Sequence, residues 1–404
     1  MSIEMAELDR RVDTVPFDWR KAAVANVMAM LPGFAFKSEN FATDTDAGLP
    51  LIRIRDLDES TTATRYVGDY DAAFAVQDGD ILVGMDGEFS AVRWQGGKAL
   101  LNQRVLKLST AQPDTMDEGY LFYRVQPALL ELEQTISGTT VKHLSTKDLK
   151  RLVWHIPPLD EQRRIAEVLR SVDEAIAAAD AVVTQAAEAF EALLADLFSS
   201  CGDVSAKLKS YCVAGGLQTG PFGSQLKADE YVEEGVPIIM PVDLTSKGMD
   251  FAGAKKAPSA KSRELARHIL QAGDVLFARR GEIGRCGLYL EGDPVALCGT
   301  GCLRARLDTT KIDPVLAYFL IQSRQARDWL CAHAVGATMP NLNTNIIGEL
   351  PMPDIPKDEQ SAWVDALLMI EGTRRINQRT LAFWQQTKST LMSSLLSGQV
   401  RVPA

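Results

Sequence analysis

Two carboxylates and a lysine offer the most reactive-looking arrangement in the chain. Pro113-Asp114 followed by Asp148-Leu149-Lys150 loosely fits a pattern in which paired carboxylates hold Mg²⁺ and a lysine assists the attacking water. The spacing is long, and turn chemistry ahead of a helix accounts for Asp148 to Lys150 equally well. Cys286, Cys298 and Cys302 are metal-ligand types, but no Cys-x-x-Cys or fourth ligand accompanies them, so buried free thiols are the simpler expectation. Gly96-Gly97-Lys98 is followed by Ala99, and Val92 stands where a phosphate loop needs its first glycine. Gly299-Thr300-Gly301 lacks the third glycine of a dinucleotide fingerprint. The only Pro-Pro, Ile156-Pro157-Pro158-Leu159, is not the Asp/Asn-Pro-Pro-aromatic loop of amino-methyltransferases. Histidines 143, 155, 268 and 333 show no paired spacing.

A different chemistry, hydrogen-bond donation, gathers in glycine-punctuated loops. Thr219-Gly220-Pro221-Phe222-Gly223-Ser224-Gln225, with Lys227 beyond it, has a counterpart in Pro32-Gly33-Phe34-Ala35-Phe36-Lys37-Ser38. Gly138-Thr139-Thr140-Val141-Lys142-His143 is matched by Gly336-Ala337-Thr338-Met339-Pro340-Asn341. Basic runs fall at Lys255, Lys256, Lys261, Arg263 and Arg267, and at Arg279, Arg280 and Arg285. A solvated face explains any one run; placement in two matching regions favours DNA. Phosphates are met by Lys and Arg, and base edges by Arg, Lys, Asn, Gln, Ser or Thr.

The elements that would position these loops are duplicated. Gly79-Asp80-Ile81-Leu82 recurs as Gly273-Asp274-Val275-Leu276, with Gly87-Glu88 matched by Gly281-Glu282. Leu49-Pro50-Leu51-Ile52 recurs as Val236-Pro237-Ile238-Ile239, and Asp56-Leu57 as Asp243-Leu244. Pro158-Leu159-Asp160-Glu161-Gln162 recurs as Pro356-Lys357-Asp358-Glu359-Gln360. Two copies are too few for a solenoid, so the expected architecture is a doubled module with pseudo-two-fold symmetry.

Each copy changes character at its Glu-Gln. Upstream, short β-rich runs such as Ile81–Val83 and Val275–Ala278 alternate with Gly, Pro and Asp turns. Downstream, Ile165, Leu169, Val172, Ile176, Ala179, Val183, Ala186, Phe190, Leu193 and Leu197 follow at steps of four and three. That is a heptad seam, hence a coiled coil. The second seam reads Trp363, Leu367, Ile370, Arg374, Asn377, Leu381, Trp384, Lys388, Leu391 and Leu395. Asp160 and Asp358 suit helix N-caps, and Gly202 and Gly398 suit stops. A helix from Glu161 to Phe198 would be about 57 Å long at 1.5 Å per residue. Residues 161–202 carry 3 Lys/Arg against 8 Asp/Glu, and 359–404 carry 5 against 3, so the helices should attract. Antiparallel pairing suits the duplication.

Composition bounds the class. The chain has 404 residues, of which 46% are apolar, enough for two or three domains with real cores. Six irregularly spaced cysteines exclude a small disulfide scaffold. A formal charge of −10 argues against nucleic-acid binding through bulk charge, though not against local basic faces. No apolar run is long enough to span a membrane. Ala22 to Leu31 faintly resembles a signal core, but it contains Asn26 and lacks a cleavage site, so a short helix is expected. A soluble, cytoplasmic protein is the expectation.

Together these features resemble the specificity subunit of a type I restriction–modification enzyme, over essentially the whole chain. The strongest element is Pro157-Pro158-Leu159-Asp160-Glu161-Gln162-Arg163-Arg164-Ile165-Ala166 at the start of the long helix. The second copy adds Ile355-Pro356-Lys357-Asp358-Glu359-Gln360 and Leu391-Met392-Ser393-Ser394-Leu395-Leu396-Ser397-Gly398. The resemblance implies an α+β chain with two β-rich target recognition domains, at 1–159 and 203–357. They would be joined by two long antiparallel coiled-coil helices, at 160–202 and 358–404. Each domain would read one half of a split double-stranded DNA target. The helices would dock two modification subunits, and restriction subunits can join. S-adenosylmethionine, ATP and Mg²⁺ would be used by those partners, leaving this chain non-catalytic, with no cofactor or metal of its own.

The expected DNA-facing residues are Lys37, Ser38, Thr139, Lys142, Thr219, Ser224, Gln225, Lys227, Arg279, Arg280 and Asn341. Leu194, Phe198, Phe383 and Leu396 are expected to leave apolar surface for the modification subunits. The first recognition region, residues 1–160, departs from a basic DNA reader, with 17 Lys/Arg against 24 Asp/Glu. Two rival readings stand beside this one: a Mg²⁺-dependent nuclease using Asp114, Asp148 and Lys150, and a coiled-coil adaptor that never touches DNA.

Overall fold

The computed structural model describes residues 15–43, 47–135, 142–200, 206–221, 225–245, 248–336 and 340–402. Its contacts group residues 1–178 with 380–404 in one unit, and residues 179–379 in another. Each unit therefore holds one β-rich module and part of both long helices.

In the first unit an antiparallel sheet runs in the order Met28–Pro32, Val105–Thr110, Ile81–Gly84, Ala91–Arg93. A strand alternates its side chains between two faces, and here both faces are covered. Ile81 and Val83 enter one core, with Leu106, Leu108, Tyr120 and Leu121. Leu82 enters the opposite one, with Ile52, Trp94 and Leu101. A smaller sheet contains the parallel pair Leu49–Ile52 and Ala99–Leu101. The helix Glu118–Thr135 adds Tyr120, Leu121, Val125 and Leu129 to the first of these cores.

The second unit repeats this plan. Its main sheet runs Cys212–Thr219, Cys302–Leu307, Asp274–Ala278, Cys286–Leu288. Val275 and Phe277 face one core, while Leu276 and Ala278 face the other. A parallel pair recurs between Val236–Ile239 and Leu297–Cys298. The covering helix is divided into Pro314–Gln322 and Arg324–His333 at Ser323, whose hydroxyl caps the second part by accepting from the Ala326 N–H.

The run from Ala22 to Leu31 corrects an expectation. Instead of a short helix it forms the strand Arg20–Ala23, a four-residue helical turn Val24–Val27, and the strand Met28–Pro32. The strands pair with Val153–Ile156 and Val105–Thr110, so sheet pairing overrides the local apolar pattern.

The long helices are Leu159–Ser200 and Gln360–Leu396, of 42 and 37 residues. No residue of either heptad seam is exposed. In the first unit Ile165 and Leu169 share a core with Leu395 and Leu396. There Glu161 pairs with Arg401 and Asp173 with Lys388, an antiparallel progression. In the second unit Leu194 and Leu197 share a core with Leu367. The polar seam members have partners: Lys388 with Asp173 of the other long helix, and within the second helix Arg374 with Glu371 and Asn377 with the Thr373 carbonyl.

The expected aspartate caps are corrected. Asp160 lies inside its helix and pairs with Arg163, while Asp358 sits in the turn before Gln360. Buried glutamines fix these helix starts instead. The Gln162 amide donates to the Thr115 and Pro157 carbonyls and accepts from the Asp117 N–H, at 3.0, 2.9 and 2.8 Å. Gln360 donates to the Lys311 and Ile355 carbonyls and accepts from the Asp313 N–H, at 2.9, 2.9 and 2.7 Å. Each glutamine thus ties a long helix to the segment leading into its own module's covering helix. Gly398, with φ of +76°, ends the second long helix as expected, and the Val400 N–H returns to the Ser394 carbonyl. Gly202 lies outside the described residues.

Candidate nucleic-acid interface

One edge of the first module is assembled by a relay of backbone hydrogen bonds. Gly33 N–H donates to Val105, and Phe34 N–H donates to Leu101. A Cβ on Gly33 would lie 2.0 Å from the Asn102 carbonyl oxygen, so only glycine permits this approach. The Met85 N–H donates to the Arg104 carbonyl, Leu144 N–H to Met85, and Gly87 N–H to Lys142. The Gly33–Ser38 loop, the Asn102–Arg104 turn, the Met85–Gly87 turn and the Lys142–His143 segment are thereby brought together.

The second module repeats three of these bonds. Gly220 N–H donates to Cys302, Arg279 N–H to Gly301, and Leu342 N–H to Arg279. A Cβ on Gly220 would meet the Gly299 carbonyl oxygen at 1.9 Å. Both edges carry an isolated antiparallel bridge at matching positions, Asp86 with His143 and Arg280 with Asn341. The glycine after each bridge residue, Gly87 and Gly281, has φ of +87°.

The side chains on the two edges differ. In the second module the Arg279 Nε donates to the Asn341 Oδ1 at 3.0 Å. That leaves the arginine fork and the asparagine NH₂ as donors. Arg280 is exposed. In the first module His143 Nδ1 lies 2.6 Å from Asp86 Oδ1, and Arg104 lies 3.5 Å from the same carboxylate. The edge that presents arginines in one copy presents a carboxylate held between a histidine and an arginine in the other.

The structure brings Arg279, Arg280 and Asn341 into one group. Lys142 joins the equivalent edge of the first module, within 4.0 Å of Glu133. Lys37 and Ser38 are exposed at the end of the Gly33 loop, with Lys37 3.8 Å from Glu39. Thr219 ends a main-sheet strand opposite Leu303. Gln225 and Lys227 flank Leu226, which is buried with Ile238 and Leu265. Thr139 and Ser224 lie outside the described residues. Sequence reasoning misses Asp86, Arg104 and the pairing role of His143. A signal is there: aligning Gly87-Glu88 with Gly281-Glu282 sets Asp86 against Arg280.

Other reactive-looking groups have structural roles. Asp148 accepts from the Ser145 N–H and hydroxyl at 3.0 and 2.7 Å, capping the short helix Thr146–Lys150. The Ser145 contact holds its carboxyl below the ordinary value. Burial pushes the Cys286 and Cys298 thiols up to about 12, and these cysteines and Cys302 are free. Among the described residues no group of three or more His, Cys, Asp and Glu could hold a metal ion. His268 is buried and pushed down to about 4, and it accepts from Arg267 Nε.

The expected partner-facing residues divide. Leu194 and Leu396 are buried in the chain's own cores, which corrects the expectation that they leave apolar surface: each packs where a long helix meets its module. Phe383 is 63% exposed. Phe198 lines a pocket of about 330 Å³ with Trp329, Leu350 and Pro351. No described helix is long and apolar enough to cross a membrane.

Known proteins share both the sequence pattern and the fold. A family model described as the type I restriction modification DNA specificity domain matches residues 16–181. The chain is 27% identical over 369 residues to the type I restriction enzyme EcoBI specificity subunit of Escherichia coli, across 85% of this chain and 77% of that protein. It is 24% identical over 362 residues to the type I restriction enzyme MjaVIII specificity subunit of Methanocaldococcus jannaschii, across 84% of this chain and 83% of that protein. A solved type I restriction–modification system S subunit from M. genitalium shares the fold, with a TM-score of 0.63 at 16% identity over 95% of this chain and 96% of that one. With its duplicated modules and long helices, the chain is similar over most of its length to type I restriction enzyme specificity subunits, and residues 16–181 match their DNA specificity domain.

Proposed function

We propose that each module reads one half of a split double-stranded DNA target, and that the long helices hold two modification subunits that methylate adenine. The observation that carries this reading is the duplicated edge, built on the same backbone relay but bearing different polar side chains. A protein that reads two different half-sites needs that combination: one framework used twice, with donors and acceptors changed on its surface. As a specificity subunit the chain is the non-catalytic member of its complex. S-adenosylmethionine, and the ATP and Mg²⁺ of any restriction subunit that joins, belong to its partners.

The modification subunits are assigned to the exposed apolar residues of the second long helix. In the second unit these include Met369 and Ile376, 72% and 64% exposed, and in the first unit Phe383. Exposed large apolar side chains of this kind favour a covering partner. Co-expression with a modification subunit, followed by genome-wide mapping of methylated adenines, tests the reading. It predicts one motif of two defined half-sites separated by a fixed gap. A single uninterrupted motif, or methylation without a motif, would contradict it.

A further inference from the structure

The geometry points to His143, oriented by Asp86, as a base-reading side chain of the first module, equivalent in position to the Arg280–Asn341 pair of the second. This inference deepens the DNA-reading assignment and rests on it. The two bridges occupy matching places: Leu144 N–H bonds Met85 at 2.8 Å, and Leu342 N–H bonds Arg279 at 2.9 Å. On one side of each stands a glycine with φ of +87°, where a Cβ would meet nothing within 4 Å. On the other stands a capped helical turn, Thr146–Lys150 or Thr344–Gly348. The position is thus backbone-fixed on one side and open on the other. That is what a reader of base edges requires.

The chemistry differs between the copies in a way that assigns different bases. An arginine fork matches the O6 and N7 acceptors of guanine. Arg280 is exposed beside an asparagine whose acceptor is already taken by Arg279. The Arg279–Arg280–Asn341 group presents guanidinium and amide N–H donors. In the first module, Asp86 takes the Nδ1 side of the His143 ring at 2.6 Å, and Arg104 neutralises the carboxylate from 3.5 Å. In the tautomer that donates Nδ1–H to Asp86, the His143 ring presents Nε2 as an acceptor. An acceptor there fits the exocyclic amino group of adenine or cytosine in the major groove. Asp86 is the positioning residue, His143 the reader. A carboxylate on a DNA-facing edge would otherwise repel phosphate; buffered by two partners, it orients a ring.

The test uses the full chain with its modification subunit. The wild-type complex must first give a split motif, because its failure to do so would sink the DNA-reading assignment itself. Given that motif, His143→Ala should make one base pair of one half-site degenerate, with discrimination there falling roughly two- to tenfold, as for one lost hydrogen bond. Asp86→Asn should relax the same base pair by a smaller factor. Arg280→Ala should relax one base pair of the other half-site and leave the first untouched. His143→Asn, which installs the residue type of the second module, should change the preferred base at that pair. An unchanged motif in His143→Ala and His143→Asn would overturn the inference. So would an even loss of methylation at all sites, the signature of a phosphate contact, or relaxation of both half-sites by one substitution.

Discussion

Gln162 and Gln360 make the same three hydrogen bonds at the starts of the two long helices, whereas the glutamates beside them do not behave alike. Glu161 is buried and accepts from Trp19 Nε1 and from Nε and Nη2 of Arg401, which also donates to Asp18 through Nη1 and Nη2. Glu359 is exposed. The reading edges show the same division between what is kept and what is changed. Matched backbone bonds repeat to within about 0.2 Å, while Asp86 and His143 stand where the other copy has Arg280 and Asn341. Buried hydrogen bonds are expensive to lose, so the copies agree there. Solvent-facing side chains carry no such constraint, and there they have diverged.

Equal effects at the glutamines would sharpen that comparison, and unequal effects would break it. Gln162→Leu and Gln360→Leu each leave a buried N–H and two carbonyls without their amide partner. Each should destabilise its own module by on the order of 3–5 kcal/mol, read by urea denaturation. All six cysteines lie between residues 201 and 331, so thiol labelling reports on the second module alone. Labelling at buried Cys286, Cys298 and Cys302 should accelerate in Gln360→Leu and stay near wild type in Gln162→Leu.

A smaller asymmetry is expected at the glutamates. Glu161→Gln removes a buried charge-assisted pair and should cost about 1–2 kcal/mol. Glu359→Gln should stay within about 0.5 kcal/mol of wild type by the same measurement. Equal costs would mean that Arg401 does not distinguish the two helix starts.

Acid should separate the modules at their short helical turns. Asp148 caps the first, whereas the equivalent turn is capped by neutral Asn343, with Ile346 where Asp148 stands. Because its folded-state value is lowered, Asp148 stabilises fully above the ordinary carboxylate value, near 3.9. That stabilisation is lost as pH falls through the folded value. Asp148→Asn should cost about 1 kcal/mol at neutral pH and flatten this acid loss. Hydrogen exchange at Lys147–Arg151 would show it. The methylated motif should not change, which a metal-ligating role for Asp148 would not predict.

The smallest effect on stability is expected at Phe383. Phe383→Asp should leave the fold within about 0.5 kcal/mol of wild type and prevent co-purification with the modification subunit. Leu194→Asp should instead unfold the second unit, because its side chain is only 1% exposed. Normal assembly of Phe383→Asp would place the partner elsewhere.

Much of the framework is legible in the sequence because it repeats and because it is periodic. Two heptad seams, from Ile165 to Leu197 and from Trp363 to Leu395, can be written down from spacing alone, polar members included. The apolar run at 22–31 misleads because it carries no helical period. What decides it is pairing with Val105–Thr110, some eighty residues away. The aspartates at 160 and 358 look like caps locally, but the helix starts are fixed by Gln162 and Gln360 reaching back to Thr115 and Lys311. Loop composition points to Arg279, Arg280 and Asn341 because they are donors. It does not point to Asp86, since an acid among DNA contacts looks wrong until its histidine and arginine partners are seen. Leu194 and Leu396 suggest surface because they fall off the seam, yet the helix ends pack on the modules as well as on each other.

Framework and reading surface should therefore be separable in this chain. The most direct measurement inserts one heptad into each long helix, in register, and maps the adenine-methylation motif of the reconstituted complex. Seven residues add about 10 Å at 1.5 Å per residue and preserve the seam. At about 3.4 Å per base pair that is at most about three base pairs of added gap. Separability predicts a longer gap between two unchanged half-sites. A changed half-site sequence, or an active complex whose gap is unaltered, would contradict it.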